Sequence, residues 1–234
     1  MPLTAQRTER SVKVKIKQGL DKIHPGKWDF FTFILVPGTT LRLASREGLL
    51  DSNLSVIGNQ PDAALWFWGW GIFVGGYSFF YIKYLFHIGR YTARAGHFLL
   101  KMACVFLAAA VFLPYKPLEF PFASDLHVLL AFLSPVLFML ALWDFLTKKI
   151  RSDRRIFFWL RLLLTELLAA ALALWYASGF ITSLLEVYVT AAFCGFLRLL
   201  ERILVDKLDF AALSSMEGQA DQEYGSDQKS TSSS

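Results

Sequence analysis

Cysteine is scarce and charge is thin in this chain. Two Cys stand among 234 residues, Cys104 and Cys194. Both lie inside apolar stretches, so they read as small hydrophobes and exclude a disulfide framework. There is no CxxC, no HExxH and no glycine-rich phosphate loop, which leaves the motif-bearing soluble enzymes without support. Charged residues make up 18%, against about 25% in an ordinary soluble domain. A disordered chain and a collagen are excluded by the 55% hydrophobic content. The apolar residues come in blocks too long for a globular core helix. With a mean hydropathy of +0.42, the chain uses lipid as part of its solvent.

Five blocks have the length of full spans: residues 63–86, 98–114, 126–146, 156–178 and 180–197. Each approaches the roughly 20 residues that cross about 30 Å of hydrocarbon. Only helix satisfies the backbone there, and no alternating pattern suggests a barrel. A sixth, weaker block covers 28–43; its 16 helical residues reach only about 24 Å. Pro37 should bend or break it. The long basic stretch ahead of it argues against a signal peptide.

Charge decides the count of spans. With six spans and both termini in the cytoplasm, 21 of the 24 Lys and Arg face inward. Arg42, Arg46 and Lys116 alone fall outside. If the first block does not cross, the contrast falls to 14 against 10. The positive-inside bias therefore selects six spans. The net charge of +5 is read as topogenic, not as a nucleic-acid signal. Residues 11–23 can lie on the inner leaflet through anionic lipid. The tail 214–234 is rich in Ser, Gln, Gly and Asp and is expected to be disordered.

Polar residues near the outer ends are the candidates for chemistry. The first outer loop, 44–62, ends in turn formers that include Asn53, Ser55, Gly58 and Asn59. Asn53-Leu54-Ser55 also fits a glycosylation sequon. The second span opens with Trp66, Trp68 and Trp70, an interfacial anchor, and carries Gly71 and Gly75 on one face for close helix packing. Pro114, Pro117 and Pro121 stiffen the outer loop before the fourth span. Ser124 or Asp125 can cap that span, His127 sits one turn inside, and Ser134 shares its face. An Asp/His/Ser group invites a lipid-hydrolase reading, but His127 and Ser134 are about 10 Å apart along a helix, too far for direct proton transfer. A zinc site needs about three protein ligands, and the other histidines fall on the cytoplasmic side. No metal or cofactor is expected. Glu166 and Glu186 lie within spans, so each should face the bundle and be paired, protonated or hydrogen-bonded, with Thr165, Thr182 and Thr190 as nearby hydroxyls. Asp144 reads as a helix-end pair with Lys148.

With these pieces placed, a resemblance emerges. SVIGN (residues 55–59), FWGWGIFVGGY (67–77) and a proline-containing loop leading to LHVLLAFLSP (126–135) resemble the FRAG/DRAM/Sfk-like group of six-span membrane proteins, in particular its bacterial branch of unknown function. Ser55, Gly58, Asn59 and His127 match the pattern positions, and the likeness covers roughly residues 28–205. It implies roles in lipid or lipid-anchor handling and membrane organisation, and brings no shared catalytic mechanism.

The expectation is an all-α polytopic membrane protein: a basic segment 1–27, a six-helix domain 28–205 and a tail 206–234. Its function is read as non-enzymatic and lipid-interacting, with an outer site of His127, Asp125, Ser55, Asn59, Gly58 and Ser134. A carrier using Glu166 and Glu186 is the second reading, and a membrane-embedded lipid hydrolase the third. The expected partners are membrane lipids, with a second copy or another membrane protein and no nucleic acid. The expected location is a bacterial plasma membrane.

Overall fold

Among the described residues, four helices are long and apolar enough to cross a membrane: Arg94–Phe112, Pro121–Lys149, Arg154–Ser178 and Ser183–Leu208. They belong to a computed structural model that describes residues 28–151 and 153–231, without the side chains of residues 209 and 211–231. In chain order the elements are α1 (Phe31–Ala44), α2 (Leu54–Gly58), α3 (Ala64–Ile88), α4 (Arg94–Phe112), α5 (Pro121–Lys149), α6 (Arg154–Ser178) and α7 (Ser183–Thr231). Every described element is helical. Trp28–Leu200 forms one compact unit, and the part of α7 from Glu201 on falls outside it. The 11–23 segment lies outside the described residues.

α3 is 25 residues long, but its Trp, Tyr and Gly residues lower its hydropathy and keep it out of the set of four. α1 belongs to the shorter apolar helices. Pro37 does not break α1. Residues Phe31–Leu35 widen into a π turn in which Val36 N–H reaches Phe31 O. Pro37 then occupies the first turn of the α-helical run Val36–Ala44, where the missing N–H and fixed φ are tolerated. The fourth apolar block also starts earlier than Ser124 or Asp125 would have it. Pro121 opens α5 at its first helical position. The Ser124 hydroxyl donates to Phe120 O and accepts from Lys116 N–H. At the far end, composition predicts disorder in the tail, yet the backbone is helical through Thr231. Ala, Leu, Met, Glu and Gln, all strong helix formers, dominate residues 211–222.

Within Trp28–Leu200, α5 packs along α4 and α6, α3 packs on α4, and α1 and α2 pack on α3. The α3–α4 contact depends on small residues. A Cβ on Gly71 would lie 2.4 Å from Val111 Cγ2, and one on Gly75 would lie 2.9 Å from Leu107 Cδ2. Polar pairs tie α1 to α3: Thr32 Oγ1 to Tyr77 OH at 2.8 Å, and Trp70 Nε1 donating to Thr40 Oγ1 at 2.8 Å. The Trp28 ring stacks on Tyr81 with centroids 4.9 Å apart. Arg198 on α7 bonds Asp29, just before α1, through Nη2 at 3.0 Å. α4 and α5 are tied by Ser134 Oγ donating to Ala103 O at 2.9 Å. At the turn between α3 and α4, Tyr91 is buried against Phe86 and Phe145 and donates to Asp144. Burial first, then the Asp144 hydrogen bond and charge, push this phenol well above its ordinary value. It therefore stays protonated across the ordinary pH range.

These contacts predict opposite behaviour at two neighbouring glycines. Gly71→Ala forces Val111 aside and should lower stability by about 1–3 kcal/mol. Gly76 meets nothing within 4 Å, so Gly76→Ala should be neutral or stabilising. Thermal unfolding of the two variants in one detergent distinguishes them.

Candidate functional site

The site is built at the end of the molecule where α3 begins and α4 finishes. Its floor is α2, a five-residue helix inside the 44–62 loop. Asn53 caps it, its side chain accepting from Val56 N–H at 2.9 Å. Leu54 and Ile57 are fully buried, in a cluster with Leu43, Ala44, Ala63, Phe67 and Val111. Gly58 lets α2 seat against α3, since a Cβ there would lie 2.3 Å from the Phe67 ring. The loop is clipped at its rim by Arg46–Asp62 at 3.0 Å and by Gln60 to Glu47. It is also tied to the start of α7: Ser183 N–H donates to Ser52 O at 2.8 Å, Leu184 N–H to Leu49 O at 2.9 Å, and Leu54 N–H to Glu186 Oε2 at 2.7 Å.

On this floor stands His127, 2% exposed. Its Nδ1 lies 3.0 Å from Leu113 O and its Nε2 lies 2.7 Å from Ser55 Oγ. A carbonyl only accepts, so Nδ1 carries the proton. In its neutral form the ring then accepts from the Ser55 hydroxyl at Nε2. The Tyr115 ring flanks the imidazole at 5.5 Å between centroids, and Asn59 Nδ2 donates to Tyr115 O. Beside these groups lies a cavity of about 110 Å³, lined by the polar Ser55, Asn59 and His127 and by the aromatic Phe67, Trp68 and Phe112 among others. It has room for several waters or a small head-group fragment. A hydroxyl on an imidazole that is itself oriented from behind is also the arrangement that activates a nucleophile.

The structure brings together Ser55, Gly58, Asn59 and His127, and leaves the other candidates elsewhere. Asp125 is exposed; two residues before His127 on a helix, it points to the opposite side. Ser134 is buried and spends its hydroxyl on Ala103 O, so the hydroxyl that meets His127 is Ser55, not Ser134. Glu186 turns into the bundle, and its partner is a backbone N–H rather than a threonine hydroxyl. Glu166 does not face the bundle. α6 buries only the stripe Phe157, Leu160 and Leu164. Glu166, two residues past Leu164, falls on the outward side and is exposed. Among the described residues no three His, Cys, Asp or Glu side chains gather as a metal site would require.

Sequence reasoning missed Leu113, Tyr115 and the aromatic wall. Leu113 acts through its carbonyl, which no side-chain pattern announces. Phe67, Trp68 and Phe112 carried a signal, as interfacial aromatics beside the candidate loop. No family model, no curated protein and no solved structure matches the chain.

Removing one partner of the Ser55–His127 pair leaves a buried polar atom unsatisfied, which costs about 1–3 kcal/mol. Ser55→Ala and His127→Phe should each destabilise by that amount. The double variant should cost less than the sum of the two, as read from unfolding midpoints in a double-mutant cycle.

Proposed function

We propose that this chain is a multi-pass membrane protein that holds part of a lipid in the His127 cavity, without transforming it. The observation that carries this reading is the cavity itself, lined by polar and by aromatic side chains together. That pairing matches a molecule with a polar head and an apolar body. Six crossings complete the architecture, with α1 and α3 joining the four long apolar helices. The 21-to-3 division of basic residues supports both termini on the cytoplasmic side, and with them a cavity on the outer face. The resemblance to the FRAG/DRAM/Sfk-like group supports the same reading through Ser55, Gly58, Asn59 and His127. It favours a bacterial plasma membrane as the location. A carrier built on Glu166 and Glu186 ranks below, since the two carboxylates are not gathered into one site.

A second reading, hydrolysis of a lipid ester, is favoured by the 2.7 Å contact between Ser55 Oγ and His127 Nε2. Here Ser55 is the nucleophile and His127 its base, and Leu113 O fixes the imidazole.

Native mass spectrometry of the purified wild type beside His127→Ala and Ser134→Ala tests both. Ser134→Ala also deletes a buried hydrogen bond, so it controls for lost stability. Lipid kept by wild type and Ser134→Ala and lost from His127→Ala is the expected result. Equal lipid in all three defeats the lipid-site reading. Covalent capture of Ser55 by a fluorophosphonate, abolished in His127→Ala, moves the conclusion to the hydrolase.

A further inference from the structure

The opposite end of the molecule holds a larger cavity, about 400 Å³, between the α3–α4 turn and the end of α5. Arg90, Lys148, Lys149 and Arg151 line it together with Tyr91. Asp144, beside these cations, already accepts from Tyr91 and binds Lys148 at 2.7 Å. No carboxylate among the described residues pairs with Arg90 or Arg151. Like charges thus line one open space. An anion would relieve that repulsion.

The backbone points the same way. Arg90 is the one non-glycine residue with positive φ among those described, at +49°. It occupies the position past the end of α3 that usually belongs to glycine: Gly89 N–H bonds Leu85 O and Tyr91 N–H bonds Phe86 O. A left-handed conformation is unfavourable for a side chain of this kind. Glycine stands one residue too early to relieve it, because Gly89 is needed for the Phe145 ring, which would lie 2.6 Å from a Cβ there. Strain of this sort collects at binding sites, and here it falls on a residue that lines a basic cavity.

We propose that this cavity binds a phosphate group, carried either by an anionic lipid or by a free phosphate compound. Arginine supplies the fork that matches phosphate oxygens, and the lysines add point charge. The site is separate from the His127 cavity and does not depend on that reading.

Calorimetric titration of the full chain in non-ionic detergent tests it, with glycerol 3-phosphate in one arm and dioctanoyl phosphatidic acid in the other. Dioctanoyl phosphatidylcholine serves as the zwitterionic control. Arg90→Gln/Arg151→Gln should weaken saturable binding about thirtyfold, from roughly 1 kcal/mol per basic residue. Lys83→Gln/Lys101→Gln removes the same charge outside the cavity and should stay within about twofold of wild type. Binding in both arms assigns the site to free phosphate compounds, and binding in the lipid arm alone assigns it to a lipid head group. No binding in either arm, or equal losses in the two double variants, overturns the proposal. Arg90→Gly separates binding from folding. Glycine relieves the strain, so this variant should melt about 2–4 °C higher while binding less tightly. Wild-type affinity in Arg90→Gly also overturns the proposal.

Discussion

The seating of α2 is the constraint from which the His127 end of the molecule follows. Five helical residues cannot hold themselves together in water, so their position is set wholly by what they touch. Leu54 and Ile57 go into the cluster formed by the ends of α1, α3 and α4. Gly58 removes the side chain that would keep α2 away from Phe67. Glu186 takes the Leu54 N–H, one of the donors that every helix start leaves unsatisfied. Once α2 is fixed in this way, Ser55 has one place to be, under the imidazole of His127. The cavity is the space left between that floor and the aromatic residues above it.

The two ends of the molecule handle polar groups in contrasting ways. Around the His127 imidazole the polar groups meet neutral partners: imidazole to hydroxyl and carbonyl, Asn59 amide to carbonyl, Glu186 carboxylate to amide N–H. Such a network is rigid because each member is satisfied and a shift of any one strands another. It suits a ligand held mainly by shape and a few hydrogen bonds. The Arg90 end gathers four cationic side chains around one open space and keeps a backbone residue in an unfavourable conformation. That arrangement gains from an added anion, whereas the neutral network does not.

α6 is the least enclosed of the long helices. Only Phe157, Leu160 and Leu164 are buried on it, and Glu166 turns outward. A carboxylate at that depth is costly when it faces hydrocarbon alone. The narrow stripe on α6 explains the orientation. Its one bundle-facing row is already filled by Phe and Leu at helical spacing, and Glu166 falls off that row by about half a turn.

Much of the architecture was legible from composition and periodicity. Apolar blocks long enough to span a bilayer can be little else than helices, because the backbone must satisfy itself. α4 to α7 accordingly lie where the apolar blocks do. Short α1 was the weaker block by length, whereas α3, read as a full span, falls outside the four long apolar helices because Trp, Tyr and Gly dilute its hydropathy. Local rules misjudged Pro37, because a π turn ahead of it moves it into a first turn where proline fits. They also misjudged the start of α5, which Pro121 opens. Of the candidate site, the residue types were readable but the pairing was not. Ser55 and His127 are 72 residues apart in sequence, and helix periodicity offered Ser134 instead because it speaks only of residues on the same helix. Leu113 enters through a carbonyl, Glu186 through a backbone N–H, and Arg90 through a φ angle. None of these leaves a trace in a side-chain pattern. Helix type and apolar burial are properties of a segment and its solvent, and a sequence carries them whole. Which hydroxyl meets which imidazole, and which turn must bend left-handed, depends on how segments distant in the chain pack, and only the folded protein specifies that.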